Sequence, residues 1–281
     1  MNGAIAGRDA TMGPMRIALA STPGSAATPN EDWAGASAWG VAVVLDGLTE
    51  ADGTGCEHGT PWYVRELGGQ LMRLAARPDG SLTEALGGAI ALVRDSHGPG
   101  CDLTHAGSPG ATAAVARWRD AAVEYLVLSD AYVVVDAGTE PAVLTDASMP
   151  DRVDGAAPHD TDGFAAVIRE RQRLRNRPGG YWVAQSDPSA ATQALTGVVA
   201  DATSVVLLSD GAAALATSLG ALSWRELVDL AVTRGPAELI AATREVEARD
   251  PHGRVWPRFK VHDDASAVVL HRTTGATARG R

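Results

Sequence analysis

The sequence predicts an α+β protein, a four-layer α-β-β-α sandwich built on two antiparallel sheets. Three observations carry that expectation. Apolar, β-branched runs bounded by Gly or turn residues recur along the chain and read as buried strands. Several of them follow one another between 111 and 145 with only short turns between, an antiparallel meander. Two pairs of amphipathic helices flank these strands, and a helical pair can cover one face of a sheet.

Taken in order, a first strand is expected over 15–20, then a polar loop, then a strand over 39–45 that finishes at Asp46. The Gly-rich stretch 47–59 is long enough for a functional loop or lid. Val64, Leu67, Leu71 and Leu74 recur at helical spacing within 59–76, and Leu82, Leu86, Ile90 and Val93 repeat the pattern within 81–93. Strands are expected over 111–117, 122–128, 132–136 and 142–144. An Arg-rich helix over 160–173 leads into a run of cations, Arg169, Arg171, Arg173, Arg175 and Arg177. A strand over 205–208 precedes the second helical pair, 223–233 with Ser223 as N-cap and 236–247. The last strand, 265–270, follows Asp263-Asp264. Residues 1–14 read as a flexible leader and 273–281 as a disordered tail.

Four acidic motifs mark the ends of the apolar runs: Asn30-Glu31-Asp32, Asp46-Gly47, Ser209-Asp210-Gly211 and Asp263-Asp264. A single Asp-Gly is an ordinary turn dipeptide. A series of acids at strand ends is different, because strand ends can be gathered into one cleft. Carboxylates packed together without compensation repel and protonate, and a hard divalent cation reverses that balance. Carboxylate, carbonyl and water ligands suit Mg2+ or Mn2+, whereas zinc asks for the His and Cys that these motifs lack. Two such ions clamp a phosphoryl oxygen and activate water, so the chemistry implied is phosphate-ester hydrolysis.

The order of motifs resembles the metal-dependent Ser/Thr protein phosphatases of the 2C type. The series reads Asn30-Glu31-Asp32, Leu45-Asp46-Gly47, Gly110-Ala111-Thr112-Ala113, Ser129-Asp130-Ala131-Tyr132, Ser209-Asp210-Gly211 and Asp263-Asp264. It runs nearly the length of the chain, so the resemblance implies one PP2C-like domain over 15–272. It further implies two Mn2+ or Mg2+ ions, bridged by Asp46 and a hydroxide nucleophile. Asp210 and Asp263 would complete one ion, Glu31 and the Gly47 carbonyl the other, and Asp130 a third, weaker site. Asp32 and Asp264 would support the ligands from beside them. Two departures bear on activity. The stretch 23–29 holds no Arg to grip a phosphate, and the family's His after Asp-Gly is replaced in Asp46-Gly47-Leu48-Thr49. His58, on the 47–59 loop, is the candidate for the missing acid, and the Arg run at 169–177 the candidate for the missing grip.

The expected substrate is a phosphorylated protein or a small phosphorylated metabolite; the alternative is a pseudophosphatase, a fold retained for binding with little or no turnover. A net charge of −10 excludes a broad electrostatic footprint for nucleic acid. No apolar run reaches the roughly 18 residues of a membrane span and no secretory signal is visible, so a soluble, cytoplasmic protein is expected. Two cysteines, Cys56 and Cys101, are too few for a disulfide scaffold. Cys56 and His58 lack a second ligand pair in sequence, so they read as a buried thiol and a polar loop residue rather than a soft-metal site.

Overall fold

The computed structural model describes residues 14–138, 140–146, 148 and 160–273. The expected leader and tail therefore lie outside the described residues, apart from Pro14 and Thr273. In chain order the elements are β1 (Met15–Thr22), β2 (Asp32–Ala36), β3 (Val41–Gly47), α1 (Thr60–Ala75), α2 (Leu82–Ser96), β4 (Ala111–Arg119), β5 (Ala122–Leu128), β6 (Tyr132–Asp136), β7 (Ala142–Leu144), α3 (Thr161–Leu174), β8 (Leu195–Val199), β9 (Ser204–Leu208), α4 (Asp210–Ala213), α5 (Trp224–Thr233), α6 (Pro236–Glu247) and β10 (Ala265–Arg272). The strands form two five-stranded sheets, ordered β1-β10-β9-β6-β7 and β2-β3-β4-β5-β8. Every pairing within them is antiparallel.

Alternation along each strand sorts its side chains between two layers. On β3, Val41, Val43 and Leu45 pack against α1 and α2, while Ala42 and Val44 face the opposite sheet. On β9, Val205 and Leu207 face between the sheets, while Val206 and Leu208 meet α4, α5 and α6. Three apolar layers result, and the central strands are buried on both faces, which is why they read in sequence as unbroken apolar runs. This is the expected α-β-β-α sandwich. Capping boxes close the starts of α2 (Ser81 with Glu84) and α5 (Ser223 with Glu226).

The expected meander over 111–145 is corrected by the structure. β4 and β5 pair in one sheet and β6 and β7 in the other, so the chain changes sheets at 129–131. Ser129 makes the crossing with φ 66°, a backbone conformation that a non-Gly residue seldom adopts. Asp130 is thereby carried to the rim between the sheets.

Two adjacent glycines of α1 make the packing testable. A Cβ on Gly68 would lie 2.4 Å from the Trp33 ring, whereas one on Gly69 meets nothing within 4 Å. Helix propensity favours Ala at both by about 1 kcal/mol, but overpacking costs about 1–3 kcal/mol. Urea titration should therefore find Gly69→Ala stabilising by about 0.5–1 kcal/mol and Gly68→Ala destabilising.

Candidate metal centre

Sheet register brings the first acids together. Asp32 on β2 stands opposite Asp46 on β3, and Asp46 stands opposite Thr112 on β4. Counting by twos from Asp46 reaches Val44 and Ala42, both in the layer between the sheets, so these three side chains continue that layer to its edge. From the facing sheet, β9 runs into Ser209 and Asp210, and Asp263-Asp264 immediately precede β10. Asp46, Gly47, Asp130, Asp210 and Asp263 line one cleft. Five of the sequence-predicted ligand residues thus come from four separate chain segments to a single site.

Backbones must pass unusually close for this to happen, and glycine permits it. A Cβ on Gly47 would sit 2.3 Å from the Glu31 carbonyl oxygen, and one on Gly211 2.1 Å from that of Asp264. The Gly47 amide donates to that same Glu31 oxygen at 3.0 Å. Asp264 accepts from the amides of Gly24 and Glu31, both at 2.7 Å. Its carboxylate is spent on holding the 24–31 segment, a positioning role. Glu31 is not among the residues lining the cleft; its carboxylate accepts from the Thr49 hydroxyl at 2.9 Å.

The electrostatic balance is unfavourable for anions. Burial, and then the charges of Asp32, Asp210, Asp263 and Asp130, push Asp46 well above the usual carboxylate range. Asp32 shifts the same way, first through burial and then through Asp210 and Asp263, with the hydroxyls of Ser209 and Ser266 opposing. Burial raises Glu31, and burial followed by Asp210 lifts Asp130 to about 7. Both buried oxygens of Asp32 lack a well-formed hydrogen bond. Unfilled carboxylate acceptors amid carboxylates are a donor set suited to a hard divalent cation.

Two cations that sequence reasoning left out of the acid series face the site. Lys260, the one lysine of the chain, places its Nζ 2.6 Å from Asp263 Oδ1. Burial works against its charge, but Asp263, Asp46 and Asp210 outweigh that and hold its pKa above the ordinary lysine range. No periodicity marks this residue, since it sits in a loop. Phe164, Val167, Ile168 and Arg171 of α3 also line the cleft, a stripe at i, i+3, i+4 and i+7. The expected Arg patch is divided by the structure. Arg169 pairs with Asp52, Arg173 with Glu170, and Arg175 with Glu50 in a buried bridge. Arg171 points its charge toward Asp130, whose ionisation it favours.

His58 does not join the centre. It lies outside the cleft lining, against Cys56, Cys101 and Trp62. The 48–59 segment that bears it contains no helix or strand and is tied down at Leu48, whose amide donates to Gly110, and at Glu50. That anchoring argues against a swing of His58 into the cleft.

The layers and the acid-lined cleft at the sheet edges define a PP2C-type fold. Solved structures agree over nearly the whole chain. A structure described as PppA, a key regulatory component of T6SS in Pseudomonas aeruginosa, superposes with a TM-score of 0.57 at 15% identity, covering 93% of this chain and 99% of its own. The catalytic domain of the serine threonine protein phosphatase PstP, in complex with two manganese ions, gives 0.58 at 13%, covering 92% and 98%. Serine/threonine phosphatase Stp1 from Staphylococcus aureus gives 0.56 at 14%, covering 95% and 99%. At such identities the likeness is one of fold. No family model matches the chain, and no curated protein matches it in sequence.

The raised carboxyls have a thermodynamic sign. A group held above its unfolded value of 3.8 adds stability below that value, and loses it as pH rises through the folded pKa, about 7 for Asp130. Metal-free protein should show a melting temperature that falls as pH is raised from about 4 to about 7. Added Mn2+ should raise the melting temperature more at the upper end of that range than at the lower. Differential scanning fluorimetry after chelation checks both.

Proposed function

We propose that the chain is a metal-dependent phosphatase that hydrolyses phosphate monoesters, on phosphoserine or phosphothreonine proteins or on a small phosphorylated metabolite. The observation that carries this reading is the arrival of Asp46, Gly47, Asp130, Asp210 and Asp263 in one cleft beside the Arg171 guanidinium. In this assignment Asp46, Gly47, Asp210 and Asp263, with Glu31 from just outside the cleft lining, would hold two Mn2+ or Mg2+ ions. Asp130 would hold a third, weaker one. Bound ions would supply the positive charge that activates an attacking water and stabilises the phosphoryl oxygens.

The chain's own residues do the remaining work. Asp264 fixes the 24–31 segment by accepting hydrogen bonds from two backbone amides, so that Glu31 keeps its place beside Gly47. Asp32 adds a carboxylate next to Asp46. Arg171 takes over the phosphate grip that the 23–29 stretch cannot provide; a guanidinium matches a phosphate in a planar, two-point fashion. Phe164 and Phe259, with ring centroids 5.4 Å apart, form an apolar wall on one side of the cleft. Among the residues lining the cleft there is no histidine, so turnover is expected to be slow. No described helix is long and apolar enough to cross a membrane.

A second reading, a pseudophosphatase that binds without cleaving, is favoured by one observation. The Lys260 ammonium already neutralises part of the acidic centre through Asp263, and a fixed cation there competes with a metal. The regulatory description of PppA, a protein of the same fold, leaves room for such a role.

Hydrolysis of p-nitrophenyl phosphate and of a phosphothreonine peptide separates the two. The enzyme reading expects Mn2+-dependent turnover that Asp210→Ala abolishes and that Arg171→Ala weakens chiefly through KM. Metal binding without turnover on either substrate favours the binding reading. Lys260→Met should tighten Mn2+ binding at least tenfold, about 1.4 kcal/mol, because a unit charge is removed from beside a divalent site. Isothermal titration calorimetry measures it, and unchanged affinity would remove Lys260 from the argument.

A further inference from the structure

Away from the acidic cleft, the fold gathers the chain's two cysteines with two histidines. The 48–59 segment, between β3 and α1, brings Cys56 and His58; the 97–110 segment, between α2 and β4, brings His97 and Cys101. The Cys56 and Cys101 sulfurs are 3.2 Å apart, far beyond the roughly 2.05 Å of a disulfide. His58 Nδ1 lies 3.2 Å from Cys101 Sγ and 3.6 Å from Cys56 Sγ. A ring nitrogen of His97 falls within 4.8 Å of both sulfurs. In sequence Cys56 and His58 stood alone as a pair; folding supplies the second pair.

The orientation of His97 points to a ligand. Its Nδ1 meets the Val93 carbonyl at 2.8 Å, and a carbonyl only accepts, so Nδ1 bears the proton and Nε2 a lone pair. That Nε2 is buried with no hydrogen-bond partner. An imidazole tied to a carbonyl through one nitrogen, with the other bare toward thiols, is the arrangement of a metal-ligating histidine. Trp62 fixes both rings, with centroids 4.2 Å from His58 and 4.8 Å from His97. The His58 amide also donates to Cys56 Sγ at 3.4 Å.

We propose that Cys56, His58, His97 and Cys101 form a structural zinc site that clamps the 48–59 segment to the 97–110 segment. Bonds of about 2.3 Å to sulfur and about 2.0–2.1 Å to nitrogen set tetrahedral donors about 3.3–3.8 Å apart, close to the 3.2–3.6 Å among Cys56, His58 and Cys101, and His97, within 4.8 Å of both sulfurs, closes in on binding. Two thiolates balance the charge of Zn2+, and soft sulfur donors separate this site from the all-oxygen cleft, which suits harder ions. Four protein ligands close the coordination shell, so the site holds structure rather than performs chemistry. Its effect reaches the cleft, because the clamped segment begins at Leu48 and Thr49, two of the cleft's wall residues.

The test needs no activity assay and is independent of the phosphatase reading. Full-length protein from zinc-supplemented cultures should carry about one zinc per chain by plasma mass spectrometry. Zinc should be lost in Cys56→Ser and Cys101→Ser, weakened at least about tenfold in His58→Ala and His97→Ala, and retained in Asp95→Asn, an exposed acid paired with Arg94. On wild-type protein, whose folding is not in question, both thiols should resist a disulfide reagent until a chelator is added. Co2+ exchanged into the site should show tetrahedral visible bands with thiolate charge transfer. Reduced wild-type protein that takes up neither zinc nor cobalt, or thiols that react at once without chelator, would overturn the proposal. So would a native Cys56–Cys101 disulfide by intact mass.

Discussion

The cost of confining carboxylates at the rim between two sheets is the constraint on which the rest of this molecule turns. Asp32, Asp46, Asp130, Asp210 and Asp263 are brought to one place by strand register and by a crossover, not by local sequence. Burial and mutual repulsion both disfavour their ionised forms. Positive charge at the site favours those ionised forms. Lys260 and Arg171 supply it from the protein, while both Asp32 oxygens lack a well-formed hydrogen bond.

The surrounding architecture is arranged so that this confinement is held rather than relaxed. Three apolar layers fix the separation of the sheets, and glycines at 47 and 211 let backbones approach where any side chain would wedge them apart. Asp264 is the clearest case of an acid used as a fastener. With both oxygens bound to amides of the 24–31 segment, it keeps that segment against the start of β10. Neighbouring aspartates in sequence, 263 and 264, thus divide into one that faces the cleft and one that faces backbone.

Much of this was legible in the sequence, and the failures have physical causes. The acid at each strand end, the helical pairs and the Ser223 cap all follow from local patterns, and the structure has them. β2 was missed because Asp32–Ala36 is five residues of mostly small side chains, with little β-branched content to announce it. β8 was missed because Leu195–Val199 is a largely exposed edge strand interrupted by Gly197. The change of sheet at 129–131 hides in what looks like an ordinary turn, since turn chemistry does not say which sheet the next strand joins. Lys260 and Arg171 carry meaning only through tertiary placement, and the partners of Cys56 and His58 lie some forty residues away.

Asp130 stands where one short backbone link joins the two sheets, with β5 ending at Leu128 and β6 beginning at Tyr132. Its carboxyl is therefore tethered to both halves of the sandwich at once. A change in spacing between the halves would act on this acid through a link of only three residues. The sandwich filling and the ionic edge thus meet at Asp130.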